Sequence, residues 1–131
     1  MTDHTPQSLR TPLGRVRRLG SAHHGTRVFW HQRLTAVANV PLTIFLILSI
    51  LTHIGASFDE VHAYLARPLV AIAMLALVLS ASVHMRIGLK EIIEDYLHGN
   101  MRVPAILAAT FFAVGVALAC TLSILKISLG A

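Results

Sequence analysis

The sequence predicts an all-α integral membrane protein with three transmembrane helices. Hydrophobic residues make up 55% of its 131 residues and charged residues only 13%, and the mean hydropathy is +0.69. Soluble domains carry about 25% charged residues. Three stretches without a charged residue, 34–58, 68–85 and 103–125, occupy most of the chain. A separate soluble catalytic domain therefore has no room, and any chemistry must lie in the membrane, beside it, or between this chain and partner chains.

Residues 1–33 form a polar and basic N-terminal segment. Prolines and glycines interrupt it, which argues against one long helix. Nucleic-acid binding is disfavoured, because basic residues beside a membrane span have a commoner explanation in membrane orientation. A secretory signal peptide is also disfavoured, because the polar lead is too long and the apolar stretch after it exceeds a signal's hydrophobic region. The segment has one acid, Asp3, and six arginines: Arg10, Arg15, Arg17, Arg18, Arg27 and Arg33.

Residues 34–131 form the transmembrane domain, with spans at about 34–56, 68–97 and 103–125. About 20 apolar residues cross the hydrocarbon core of a bilayer as a helix. Pro41 lies inside the first span, where a neighbouring helix can tolerate a kink. In the second span only Gly88 interrupts the helical pattern after Pro68, which suits a first helical position. We therefore expect one helix there, whose last three turns emerge into the headgroup and aqueous zone.

The distribution of Lys and Arg predicts the orientation of the chain. The N-terminal segment and the second link, residues 86–102, together carry nine of these residues. The first link and the C-terminus carry two, Arg67 and Lys126. Because positive residues accumulate on the cytoplasmic side, we expect the N-terminus and the second link in the cytoplasm and the C-terminus outside. The single cysteine, Cys120, excludes an internal disulfide and a paired-cysteine metal site.

His84 is the first membrane-embedded polar group that needs an explanation. It lies near the cytoplasmic end of the second span, and an ionisable group there is a functional candidate by default. It can act as a metal ligand, a proton carrier or a hydrogen-bond donor between helices, and neutral imidazole is a natural axial ligand for haem iron. A haem with two histidine ligands needs a second histidine, and neither His53 nor His31 is well placed to be that ligand. Another subunit would then supply it.

Two further features flank the spans near the cytoplasmic side. Asp95 lies about three turns beyond His84 on the same helical face, on the order of 16 Å away, and Tyr96 follows it. A tyrosine hydroxyl beside a carboxylate can bind a quinone carbonyl, but a solvated helix end with an interfacial tyrosine has the same pattern. At the entry to the first span, Arg33 follows Phe29 and Trp30. This group is either an interfacial anchor or places Arg33 near an anionic cofactor group such as a haem propionate.

The sequence HMRIG at residues 84–88, followed by Asp95 and Tyr96, resembles the second span of the succinate dehydrogenase hydrophobic membrane anchor subunit. That family shows a His, a Gly four residues later and an Asp-Tyr pair at this spacing. The segment RLTA at residues 33–36 is similar to the opening of its first span. Residues 10–30, with LGSA at 19–22, are similar to alphaproteobacterial members. The resemblance covers most of the chain.

The resemblance implies half of a haem-binding heterodimeric helical bundle in the bacterial inner membrane. The partner anchor would be the cytochrome b subunit, and the two anchors would bind an iron-sulfur subunit and a flavoprotein subunit on the cytoplasmic side. Electrons from succinate would reach ubiquinone, which places the chain in the respiratory chain and the tricarboxylic acid cycle. This chain would be a non-catalytic subunit of the enzyme complex.

By position, the resemblance implies His84 as an axial ligand of haem b, and Tyr96 with Asp95 as the ubiquinone site. It also implies Arg33 near the haem propionates. Arg86 and Glu94 depart from the family pattern, which often has an uncharged residue and a threonine there. Two other interpretations stay open: a fumarate-reductase-type anchor for haem and quinone, and a small non-redox membrane scaffold or transporter subunit, which would be colourless when purified.

Overall fold

The computed structural model describes residues 23–130, and the elements assigned within them are helical. Three long helices, α1 (His23–Thr52), α3 (Pro68–Tyr96) and α4 (Arg102–Leu129), are joined by a short helix, α2 (Phe58–Leu65), and by a 3₁₀ turn at Gly99–Met101. Most of the basic N-terminal segment, residues 1–22, and the C-terminal residue lie outside the described residues.

Three helical segments are long and apolar enough to cross a membrane: Thr26–Thr52, Pro68–Tyr96 and Gly99–Leu129. The prediction of an all-α chain with three membrane spans is therefore confirmed. Helix α1 begins at His23, eleven residues before residue 34, where the predicted first membrane span begins. Residues 26–33 contain no proline or glycine, so the helix extends N-terminal to the apolar stretch and includes Arg27 and Arg33, whose side chains are exposed.

Helix α3 lies in the middle of the bundle, packed against α1 on one side and α4 on the other. The most deeply buried residues are small, with Ala71 3% exposed and Ala113 2% exposed, and Ser82 is buried as well. Small side chains let membrane helices approach closely and gain contact area where lipid offers no hydrophobic driving force. Most large apolar side chains face outward instead.

Helix α2 was not predicted from the sequence. It connects the end of α1 to the start of α3 and packs against α3 and α4 at that end of the bundle. Its first turn has a capping box: the amide of Glu60 donates to the Ser57 hydroxyl at 3.3 Å, and the amide of Ser57 donates to the Glu60 carboxylate at 2.8 Å. The amide and hydroxyl of Ser57 lower the pKa of Glu60 below its usual value, because both favour the charged carboxylate.

A contact between hydroxyl groups fixes α2 to the end of α1. The Tyr64 hydroxyl lies 2.8 Å from the Ser49 hydroxyl, and the Tyr64 ring lies 4.1 Å from the ring of His53. His53 Nδ1 lies 2.8 Å from the Ser49 carbonyl. These three side chains line an apolar cavity of about 500 Å³. His53 is thus held by local contacts at the opposite end of the bundle from the candidate site.

The other end of the bundle contains the turn between α3 and α4. Gly99 adopts a φ of +73°, a conformation that side-chain-bearing residues rarely take. Arg102 donates to Glu94 at 2.9 Å across the turn, and Lys90 lies 3.4 Å from the same carboxylate. Because α1 and α3 are antiparallel, the start of α1 and the end of α3 meet at this end.

Candidate functional site

His84 lies on α3 at the contact with α1. The residue is half-buried, and its Nδ1 lies 3.2 Å from the hydroxyl oxygen of Thr35 on α1. Its Nε2 has no hydrogen-bond partner among residues 26–130, whose side chains the structure describes. One ring nitrogen is therefore engaged inside the chain, and the other is left for a group outside it.

The face of α1 that packs on α3 is polar around this contact. Gln32, Thr35 and Asn39 follow one another at helical spacing. The side-chain oxygens of Gln32 and Asn39 are buried without a hydrogen-bond partner in the described chain. A Cβ added to Gly88 would lie 3.5 Å from the Gln32 amide nitrogen, which is ordinary van der Waals contact. The glycine therefore leaves room at this crossing, but the packing itself does not require it.

Two cavities open between α1 and α3 at the cytoplasmic end predicted by the charge count. The larger, about 690 Å³, is lined by Gln32 and Arg33 from α1 and by Lys90, Glu91 and Glu94 from α3. The guanidinium of Arg33 also lies 4.9 Å from the centre of the Phe29 ring, within the range of a cation–π contact. Arg33 is exposed and is therefore available to an anionic group at this opening.

The smaller cavity, about 340 Å³, is lined by more basic side chains and includes Val83, the residue before His84. The sequence analysis did not predict that basic side chains come together here as a possible site for a carboxylate. Arg86 could have indicated it, because it lies two residues after His84, but its charge was noted only as a departure from the family pattern. The ionisable residues that line the cavity are four basic or imidazole side chains and one acid: Arg27, His31, Arg86, Lys90 and Glu91.

Asp95 and Tyr96 lie at the C-terminal end of α3, and both point away from the chain. Tyr96 is the last residue of the helix and is 81% exposed. Neither side chain makes a hydrogen bond or an ion pair with another residue in the described part of the chain. Their neighbour Glu94 behaves differently, because Arg102 and Lys90 hold its carboxylate. Asp95 and Tyr96 are thus free to meet a partner chain or a small molecule.

The predicted site residues fall into two groups. His84 and Arg33 belong to the crossing of α1 and α3, whereas Tyr96 lies twelve residues beyond His84, about 18 Å along the helix axis. Within residues 23–130, no group of three or more His, Cys, Asp or Glu side chains is placed to hold a metal ion. A metal centre built from this chain alone is therefore not found there, but a haem iron shared by two chains needs only one histidine from each.

Comparison with known proteins gives a consistent result over nearly the whole sequence. The family model for the succinate dehydrogenase/fumarate reductase transmembrane subunit matches residues 7–124. A succinate dehydrogenase hydrophobic membrane anchor subunit from Paracoccus denitrificans is 33% identical over 121 residues, which cover 92% of this chain and 94% of the relative. A protein of the same name from Rickettsia bellii (strain RML369-C) is 27% identical over 106 residues, which cover 80% of this chain and 85% of the relative. No solved structure matches.

Proposed function

This chain belongs to the succinate dehydrogenase/fumarate reductase transmembrane subunit family, and we propose that it binds haem b and ubiquinone together with a partner anchor subunit. In this role it passes electrons from succinate oxidation to ubiquinone. The observation that carries the proposal is His84: a half-buried imidazole in a membrane span, with Nδ1 in contact with Thr35 and Nε2 without a partner among residues 26–130. An ionisable residue with that arrangement is a functional candidate, and haem iron is a natural recipient of Nε2.

The residues present fit one half of a bis-histidine haem site. His84 would supply one ligand nitrogen to the iron, and a histidine of the cytochrome b subunit would supply the other. When bound, haem adds a one-electron carrier between the two anchors. This chain contributes the orientation of the His84 ring and the basic groups that face the propionates. Arg33 is one candidate partner for a propionate carboxylate, and Arg86 with Arg27, beside the turn that bears His84, is a second.

Ubiquinone binds near the end of α3, with Tyr96 as a hydrogen-bond donor to a quinone carbonyl. A phenol hydroxyl donates a hydrogen bond without carrying a charge itself. Asp95 lies beside it and orients the ring or a water that delivers a proton. Both side chains are exposed and unbonded within the described chain, so the walls of the site come from the partner subunits. Two-electron reduction of the quinone also takes up two protons, which a site near the aqueous phase receives readily.

The soluble subunits bind at the end of the bundle that carries Tyr96. The start of α1, the end of α3 and the start of α4 bring basic residues to this end: Arg27, Arg33, Arg86, Lys90 and Arg102. Because positive residues accumulate on the cytoplasmic side, we assign this end to the cytoplasm of a bacterial inner membrane. There it anchors the iron-sulfur and flavoprotein subunits, which perform succinate oxidation, and this chain has no active site of its own.

A fumarate-reductase-type anchor is the second candidate, because the matching family model includes both enzymes.

The experiment that tests the proposal is purification of this chain, tagged, from the membranes of its native host. We expect mass spectrometry to identify a second three-span subunit, an iron-sulfur subunit and a flavoprotein subunit. We also expect a dithionite-reduced spectrum with the bands of a bis-histidine haem b. A colourless preparation without these subunits would contradict the proposal and favour a non-redox scaffold. Comparison of succinate oxidation with fumarate reduction in the same preparation distinguishes the two redox candidates.

A further inference from the structure

The hydroxyl of Thr35 lies within hydrogen-bond distance of three groups. Its oxygen is 2.7 Å from the carbonyl oxygen of His31, 3.2 Å from the carbonyl oxygen of Gln32 and 3.2 Å from Nδ1 of His84. A hydroxyl carries one hydrogen and two acceptor lone pairs, whereas a backbone carbonyl can only accept. The single hydroxyl hydrogen of Thr35 is therefore donated to the carbonyl oxygens of His31 and Gln32.

The assignment of this hydrogen decides the direction of the contact with His84. The 2.7 Å contact to the His31 carbonyl is at the short end for an O–H···O bond, and the carbonyl of Gln32 can share the same hydrogen. This back-bonding to the preceding turn is common for threonine in a helix. The Thr35 oxygen is then left with free lone pairs facing Nδ1, so the imidazole donates and the hydroxyl accepts.

An imidazole that donates from Nδ1 has its lone pair on Nε2 when it is neutral. That is the tautomer required for an iron ligand that binds through Nε2. A partner on the opposite ring nitrogen also fixes the ring orientation and increases the basicity of the ligand. The position of Thr35 is also fixed relative to α3. The residue is half-buried, and the Ser80 hydroxyl of α3 donates to its backbone carbonyl at 3.4 Å.

We propose that Thr35 is a positioning residue for His84: its hydroxyl accepts a hydrogen bond from Nδ1 and holds Nε2 ready to bind the haem iron. This inference rests on the proposed haem-binding function. Thr35 does not touch the iron and acts only through the imidazole. Loss of its hydroxyl should weaken haem binding by about tenfold to a hundredfold, the usual effect of removing a partner that orients a metal ligand. It should also raise the midpoint potential of the haem, because a less basic ligand stabilises the oxidised iron less.

Two substitutions of Thr35 and one matched control test the proposal in the complete complex. Thr35→Val keeps the side-chain shape but removes the hydroxyl, and Thr35→Ser restores a hydroxyl. Thr43→Val makes the same change about two turns further along α1, at an exposed threonine that has no hydrogen bond from its side chain in the described residues. The measurements are haem content per complex, the midpoint potential, and the electron paramagnetic resonance spectrum of the oxidised haem.

We expect Thr35→Val to lose haem and to shift the potential and spectrum, with Thr35→Ser and Thr43→Val close to wild type. Equal behaviour of Thr35→Val and Thr43→Val would overturn the proposal and leave Thr35 as a packing contact. Wild-type complex without haem would overturn the proposed function, and the role of Thr35 toward haem with it.

A haem-free measurement distinguishes these failures. Nitrogen-15 NMR of the full chain in lipid, with the His84 signal assigned by its loss in His84→Ala, reports the tautomer directly. A protonated Nε2 with a bare Nδ1 in wild type would overturn the role of Thr35 even if the complex contains haem. The proposal expects protonated Nδ1 in wild type and a mixture of tautomers in Thr35→Val.

Discussion

Arg102 donates a 2.9 Å hydrogen bond to Glu94 across the turn between α3 and α4, immediately before Asp95 and Tyr96 in the sequence. This bond and the helix end at Leu97, whose amide donates to the Ile93 carbonyl at 2.9 Å, fix the last turn of α3. The Glu94 carboxylate is therefore bonded within the chain, whereas the side chains of Asp95 and Tyr96 are exposed. The end of α3 therefore combines a residue that holds the bundle together with two residues that face outward.

Tyr96→Phe should lower electron transfer from succinate to ubiquinone by about tenfold to a hundredfold. The substitution removes only the hydroxyl, and a lost hydrogen bond in a partly dry site costs on the order of 1–3 kcal/mol. Succinate oxidation by a dye that accepts electrons before the quinone should change little, because the soluble subunits stay bound. The two activities are measured on the same membranes. Equal loss of both would identify Tyr96 as an assembly residue, and loss of neither would remove it from the quinone site.

Tyr64→Phe is the matched control, since Tyr64 is the other of the two tyrosines in the chain. Its hydroxyl contacts Ser49 at 2.8 Å at the opposite end of the bundle. We expect a loss of about 0.5–1.5 kcal/mol in the free energy of unfolding, the typical net contribution of one hydrogen bond, with quinone reduction unchanged. Unfolding in detergent by denaturant, followed by circular dichroism, measures the loss. A drop in quinone reduction without loss of stability would contradict this division of roles.

Labelling of single cysteines should show that the two links lie on opposite sides of the membrane. With Cys120 replaced by alanine, Asn100→Cys reports the turn after α3 and Ala63→Cys reports the exposed face of α2. A membrane-impermeant maleimide added to spheroplasts should label position 63 and not position 100, and permeabilised cells should label both. Labelling at position 100 in intact spheroplasts would reverse the orientation that the Lys and Arg count predicts.

The N-terminus of α2 should become less stable only in acid. The pKa of Glu60 is lowered in the folded chain by Ser57, so the carboxylate stabilises the cap at pH values above the unfolded pKa of about 4.3. This contribution is lost as the pH falls through the lower, folded pKa. Hydrogen exchange of the α2 amides, corrected for intrinsic rates, should therefore be constant near neutral pH and accelerate in acid. Glu60→Gln should abolish most of the acid dependence, and an unchanged acid response in that variant would assign it to other groups.

The long helices could be predicted from the sequence because membrane spans follow from length and hydropathy alone. Helix α1 starts before the first apolar stretch, at His23, because hydropathy marks the uncharged part of a helix and not the polar turns that precede it. Helix α2 was missed although Ser57 and Glu60 form a readable capping box. Its eight residues are too short for a periodicity signal, and its stability also depends on the contact of Tyr64 with α1.

The candidate site was only partly predictable, for a geometric reason. His84 is recognisable as a polar group where the membrane disfavours one, but its partner Thr35 is 49 residues away in sequence. That pairing depends on how α1 and α3 cross, which no local pattern encodes. The cavity that includes Arg27 and Arg86 has the same origin. Asp95 and Tyr96 are different, because neither side chain makes a hydrogen bond or an ion pair with another residue in the described part of the chain.

Haem binding through His84 is the central claim, and the dithionite-reduced spectrum of the purified complex carrying His84→Ala tests it most directly. The variant is compared with wild type at equal amounts of assembled complex, measured by mass spectrometry of the subunits. We expect the wild type to show a low-spin bis-histidine haem b, and the variant to lose that spectrum or convert it to a high-spin form while the chain still inserts into the membrane. An unchanged low-spin spectrum in His84→Ala would contradict the claim.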